Sequence, residues 1–151
     1  MEPAGAGGPG GSTGLRIELR GRPPGNAPPA AEIDRLCALA AAAGGVTDGH
    51  IAIAFVDEPE IIELNARHRG RRAPTDVLSF PVDGCGPAIG PRELGDVVIC
   101  AAQTADVSEA IVHGVLHLVG MDHECDDGEM LALQGELLSW AGADRARGAG
   151  R

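Results

Sequence analysis

Residues 113 to 123 read His-Gly-Val-Leu-His-Leu-Val-Gly-Met-Asp-His, which places three imidazoles at i, i+4 and i+10. On an α-helix, positions four apart lie one above the other on one face, so His113 and His117 can reach a single ion. Ile111, Val112, Val115, Leu116 and Val119 form a stripe on the opposite side that has to be buried. Gly120 is where such a helix stops, because glycine takes the left-handed conformation at little cost. The chain can then turn back and bring His123 to the same point. This segment therefore demands a helix packed on a core, with an ion-binding face left open beside a sharp turn. Three neutral imidazoles with a fourth position open are the arrangement of a catalytic zinc rather than a closed structural one. The expected cofactor is one Zn2+ per chain, held by His113, His117 and His123.

The spacing matches the extended zinc-peptidase motif H-E-x-x-H-x-x-G-x-x-H at all three histidines and at the glycine. It differs at the second position, where the peptidase has its glutamate base and this chain has Gly114. Glycine cannot accept a proton, so the ligand geometry is shared while the chemistry must differ. Ala110 and Gly114 are small and are expected to leave room for the ion between the two helical ligands. Lone histidines and i,i+4 pairs occur on many ordinary helices, but here three of the five histidines in the chain share one short segment. Cys125 as a fourth ligand would close the site to water, so the three histidines are taken as the set. The acids Asp122, Glu124, Asp126, Asp127 and Glu129 are expected mainly as a solvated helix start, with Asp122 in reach of a ligand imidazole.

A chain of 151 residues is about one domain on length and can bury a working core. With two Phe, one Trp and no Tyr, that core must be aliphatic. Residues 1–13 are rich in Gly and Pro and are expected as a disordered tail, followed by one domain over 14–142 and a flexible tail over 143–151. Leu15 to Leu19 alternates like a half-buried strand. An Ala-rich helix is predicted near 30 to 43, closed by Gly44-Gly45, and a buried strand over Ile51 to Val56. Asp57 caps a helix to about Arg67, with Pro59 in its first turn. Strands follow at Val77 to Phe80 and Asp96 to Cys100, around a Gly/Pro loop near 83 to 93. Asp106 and Glu109 open the histidine helix, and Asp126 and Glu129 open a last helix to about Trp140. The fold class is α/β: a single domain with a small mixed sheet of about four strands covered by helices.

The start of the chain lacks the basic and apolar regions of a signal peptide, and no apolar run nears the ~18 residues of a membrane helix. Cys37, Cys85, Cys100 and Cys125 form no C-x-x-C pair and read as reduced thiols, so a cytoplasmic protein without a membrane partner is expected. The net charge of −10 counts against a general nucleic-acid binder. One segment reverses that locally: Arg67, Arg69, Arg71 and Arg72 stand in a stretch with no acid. Taken alone, they would be solvated arginines complementing a helix end. Their neighbourhood argues for more, because Ala-Pro-Thr-Asp-Val-Leu-Ser-Phe-Pro comes next.

Leu64-Asn65, His68-Arg69, Pro74-Thr75-Asp76-Val77-Leu78-Ser79-Phe80-Pro81, Leu94-Gly95-Asp96-Val97-Val98-Ile99 and the triple-histidine run, in that order, resemble the YbeY family of bacterial rRNA-maturation endoribonucleases. The likeness runs from about residue 51 to 140. It implies a zinc-dependent, single-strand-specific endoribonuclease involved in 16S rRNA 3'-end maturation and ribosome quality control, with ribosomal RNA and the small ribosomal subunit as partners. It also implies zinc at His113, His117 and His123 and a catalytic arginine at Arg69. Arg67, Arg71 and Arg72 would then hold flanking phosphates, adding affinity more than rate. The chain departs from the family where a Tyr is usual, at His68 and Met121, and the stretch from Asp96 to His113 is short by about a helical turn. His68 is taken as a polar replacement for Tyr rather than an added proton carrier, and no clear general base is apparent. Two other readings stay open: a ribosome assembly factor in which zinc mainly stabilises the fold, and a hydrolase of another class, which Gly114 disfavours.

Overall fold

The computed structural model describes residues 14–83, 91–121 and 127–149. The expected N-terminal tail, Cys85, and the segment Asp122, His123, Glu124, Cys125 and Asp126 lie outside the described residues. The chain forms β1 (Leu15–Arg20), α1 (Ala30–Ala43), β2 (Gly49–Val56), α2 (Glu58–Arg69), β3 (Val77–Pro81) and β4 (Glu93–Cys100). A single 3-10 turn (Ala101–Gln103), α3 (Val107–Leu118) and α4 (Glu129–Ala149) complete it. The sheet order is β1-β2-β4-β3, with β1, β2 and β4 parallel and β3 antiparallel to β4. This is the α/β architecture with a four-stranded mixed sheet expected from the sequence. Among the described residues, no helix is long and apolar enough to cross a membrane.

The two-residue period of the strands sorts side chains onto two faces. Ile51, Ile53 and Phe55 of β2 and Val97 and Ile99 of β4 join Ile33, Leu36 and Ala40 of α1, the apolar stripe of α3, and Met130 and Leu137 of α4 in the main core. On the other face, Leu78, Val98 and Cys100 pack with Ile61 of α2. Three helices therefore cover one side and α2 alone covers the other. Cys37 and Cys100 are free and buried. Burial, and to a lesser degree the Asp34 charge, push the Cys37 thiol above its ordinary range, which keeps it unreactive.

Local signals set most of the boundaries. The Asp57 carboxylate accepts from the Glu60 amide at 3.0 Å, and the Asp106 carboxylate from the Glu109 amide at 3.0 Å, so both predicted caps form. α2 runs to Arg69, past the expected stop at Arg67, because the left-handed residue that ends it is Gly70, at φ 73°. β4 begins at Glu93 rather than Asp96. Its register slips opposite His50/Ile51, and Gly95 at φ 141° sits in that irregularity, which breaks the strand pattern in the sequence. α4 continues to Ala149, beyond the stop expected near Trp140, through a stretch rich in the good helix formers Ala and Arg.

Candidate active site

α3 carries the first two histidines across the main core. Its stripe of Ile111, Val112, Val115, Leu116 and Val119 is buried as expected, which fixes the rotation of the helix and turns His113 and His117 toward a cleft. The helix stops as the glycine predicts. Gly120, at φ 100°, donates to the His117 carbonyl at 3.0 Å, and Met121 donates to the Leu116 carbonyl at 3.0 Å. These two bonds satisfy carbonyls of the last turn and end the helix beside the histidines.

The cleft has a volume of 530 Å³. One wall is β3 with the residues before it, Thr75 and Asp76; another is α3 with Gly120 and Met121; His68 and Arg69 close it from the end of α2. The histidines and Arg69, 44 positions apart in sequence between Arg69 and His113, thus share one concavity. The Ser79 hydroxyl donates to the Gly114 carbonyl at 2.9 Å and ties the β3 wall to the α3 wall.

His113 Nε2 and His117 Nε2 lie 3.2 Å apart. Nitrogens that close must share either a proton or a cation. Two imidazole nitrogens bound at ~2.0–2.1 Å to a tetrahedral zinc stand about 3.3 Å apart, so the spacing fits that ion. The other nitrogen of His113 is also engaged: Nδ1 is 2.8 Å from Oε1 of Gln134 on α4. An Nδ1 bearing hydrogen would donate to that oxygen and leave Nε2 with its lone pair. His123, the third histidine, lies outside the described residues, and no group of three candidate ligands is complete among those described.

Gly114 has a different role from the one expected. A methyl group on Gly114 would stand 2.5 Å from Val97 Cγ1, 3.1 Å from Val97 Cγ2 and 3.3 Å from the Ser79 hydroxyl. Gly114 therefore lets the helix approach β4 and β3 closely, and the space it leaves is taken by the sheet rather than by an ion. A glutamate at this position would have to enter the same contact.

The four arginines separate. Arg69 lines the cleft; Arg67, Arg71 and Arg72 do not. Arg67, His68 and Arg69 occupy the last turn of α2, where positive charge is favourable. Arg72 donates to Glu63 at 2.9 Å, and this bond holds the Glu63 carboxyl below its ordinary range. His68 packs against Phe80 with ring centroids 4.4 Å apart and ring planes tilted by 51°, a ring-on-ring contact beside the cleft. Asn65 is buried and donates to the Ala73 carbonyl at 2.9 Å, which anchors the loop that follows the arginines. Gln134 escaped the sequence reading of the site, and Asn65 entered it only among the residues that carry the resemblance. A signal existed for Gln134: it is the polar member of a buried stripe formed with Met130, Leu137 and Ala141.

Known proteins resemble this chain over most of its length. The family model described as Endoribonuclease YbeY matches residues 30–142. An Endoribonuclease YbeY of Macrococcus caseolyticus is 35% identical over 76% of this chain and 86% of its own. That of Bacillus licheniformis is 37% identical over 77% and 87%, and that of Acidothermus cellulolyticus is 43% identical over 67% and 75%. The solution structure of TM1509 from Thermotoga maritima superposes with a TM-score of 0.51 at 26% identity, covering 89% of this chain and 95% of that one. The matched region contains the cleft, the histidine helix and the arginine turn, and the chain belongs to the YbeY family of endoribonucleases.

Proposed function

We propose that this protein is a zinc-dependent, single-strand-specific endoribonuclease of the cytoplasm that acts on ribosomal RNA, in 16S rRNA 3'-end maturation and quality control of the small ribosomal subunit. The observation that carries this reading is the convergence of the His113 and His117 Nε2 atoms at 3.2 Å in the same cleft as Arg69. His113 and His117, with His123 from the family's histidine motif, would hold one zinc ion. Bound there, zinc supplies a divalent charge that acidifies water and offsets charge on a phosphoryl group.

The chain's own residues account for the remaining requirements. A planar guanidinium matches the non-bridging oxygens of a phosphate, and this reading assigns that role to Arg69, the one of the four that lines the cleft. Arg67 and Arg71, with Arg72 shared with Glu63, would add positive charge around the end of α2 for flanking phosphates, against a net charge of −10 for the whole chain. A peptidase reading is disfavoured, since Gly114 faces Val97 and offers no place for a base. Purified protein should carry about one zinc per chain and cleave unstructured RNA, and His117→Ala should lose most of both. Full metal retention in that variant would refute the site. Normal metal with ribosome association and no cleavage would favour an assembly factor instead.

A further inference from the structure

The main core buries one polar side chain from α4 next to a candidate ligand. Gln134 is 8% exposed, among the buried Met130, Leu137 and Ala141 of the same helix face. Burying an amide costs free energy unless it is hydrogen-bonded, and its oxygen meets His113 Nδ1 at 2.8 Å. We infer that Gln134 is a positioning residue for the metal site: it holds His113 in the Nδ1–H tautomer, with the Nε2 lone pair facing His117.

The geometry supports this role at both ends of the imidazole. An imidazole with hydrogen on Nδ1 presents Nε2 as its only lone-pair donor, and the His113 Nε2 is the atom that stands 3.2 Å from His117 Nε2. A bond from Nδ1 to a side chain on another helix also fixes the ring about its χ angles. Because α4 packs through the same face that carries Gln134, the orientation of one ligand depends on how two helices dock. Outer partners of ligand histidines act in this way, raising the basicity of the ring and pre-aiming it. Glutamate at the same position would preserve the acceptor, whereas leucine would preserve packing and remove it.

This inference rests on the zinc reading, so the test separates the two. Zinc affinity is measured by competition with a chromogenic chelator for the wild type, Gln134→Leu, Gln134→Glu and His117→Ala. Gln134→Leu should bind zinc roughly 10–100-fold more weakly, as loss of such partners does elsewhere, and Gln134→Glu should match or exceed the wild type. His117→Ala should lose zinc outright. If His117→Ala loses zinc while Gln134→Leu binds like the wild type, Gln134 has no positioning role and the metal site stands. If His117→Ala also binds like the wild type, the metal reading fails first. A second measurement needs neither metal nor a folded variant: long-range 15N–1H spectra of the zinc-free wild type, above the imidazole titration range. These should show His113 with its hydrogen on Nδ1. A hydrogen on Nε2 would overturn the proposal by itself.

Discussion

A methyl group added at Gly114 measures how tightly the histidine helix is seated. In Gly114→Ala the new carbon would stand 2.5 Å from Val97 Cγ1 and 3.1 Å from Val97 Cγ2, and Val97 is fully buried in β4. Two effects oppose each other. Alanine favours a helix over glycine by ~1 kcal/mol. Overpacking a filled core costs about 1–3 kcal/mol, because side chains or backbone must shift. The steric effect should match or exceed the propensity gain, for a net loss of about 0–2 kcal/mol. Gly135 on α4 provides the reference, since a methyl group there meets nothing within 4 Å. Gly135→Ala should therefore show the propensity gain alone. The difference between the two variants in denaturant unfolding of the zinc-free protein, read from midpoints at constant m-value, isolates the contact with β4. Val97→Ala removes both opposing methyl groups. The double variant Gly114→Ala/Val97→Ala should accordingly be more stable than additivity predicts by about 1–3 kcal/mol. If the two substitutions add within about 0.5 kcal/mol, or if Gly114→Ala stabilises as much as Gly135→Ala, the close approach of α3 to the sheet is not as described.

Three further predictions concern the arginines. Arg69→Ala should lower the cleavage rate by ~10²–10³, the cost of one lost donor in comparable sites, with zinc content and RNA affinity nearly normal. Arg71→Ala should leave the single-turnover rate intact and reduce the salt slope of RNA binding by about one unit or less. Equal affinity losses with no change in rate would make Arg69 another phosphate contact. Arg72→Ala should let the Glu63 carboxyl rise toward its ordinary range, which NMR titration reads directly. The sign follows from the lowered value. The pair's stabilising effect is present above the ordinary carboxylate range, fades as pH falls through the lowered pKa, and is small and salt-sensitive at this exposed position. A Glu63 titration unchanged by the substitution would exclude the ion pair.

How much of this was legible in the chain depended on whether the cause was local. The caps at Asp57 and Asp106 and the helix stop at Gly120 are decided within a few residues, and the sequence showed each of them. The α3 stripe was equally readable, because its period alone determines which face is buried. Gly95 hid the start of β4, since a glycine in a bulge looks like a loop until the neighbouring strand is known. Gly114 was misread for a related reason. Its smallness was visible, but whether an ion or a valine fills the space depends on where β4 lies. The bond from His113 to Gln134 spans 21 positions and two helices, so no local pattern could pair them. The separation of Arg69 from the other three arginines likewise depends on how α2 meets β3, a tertiary fact.

The Ser79 hydroxyl bond to the Gly114 carbonyl has a kinetic consequence. It joins an edge strand to a helix interior at a point where Gly114 already leaves no slack against Val97. For these walls to part, the bond would have to break and α3 would have to slide on the sheet together, so the two motions are coupled. This part of the cleft thus behaves as a slot of preset width. An RNA strand would meet walls already set, and arrival and departure would be governed by strand contacts rather than by the opening of a gate. Turnover on a short oligonucleotide should then show a single association phase whose rate rises linearly with protein concentration.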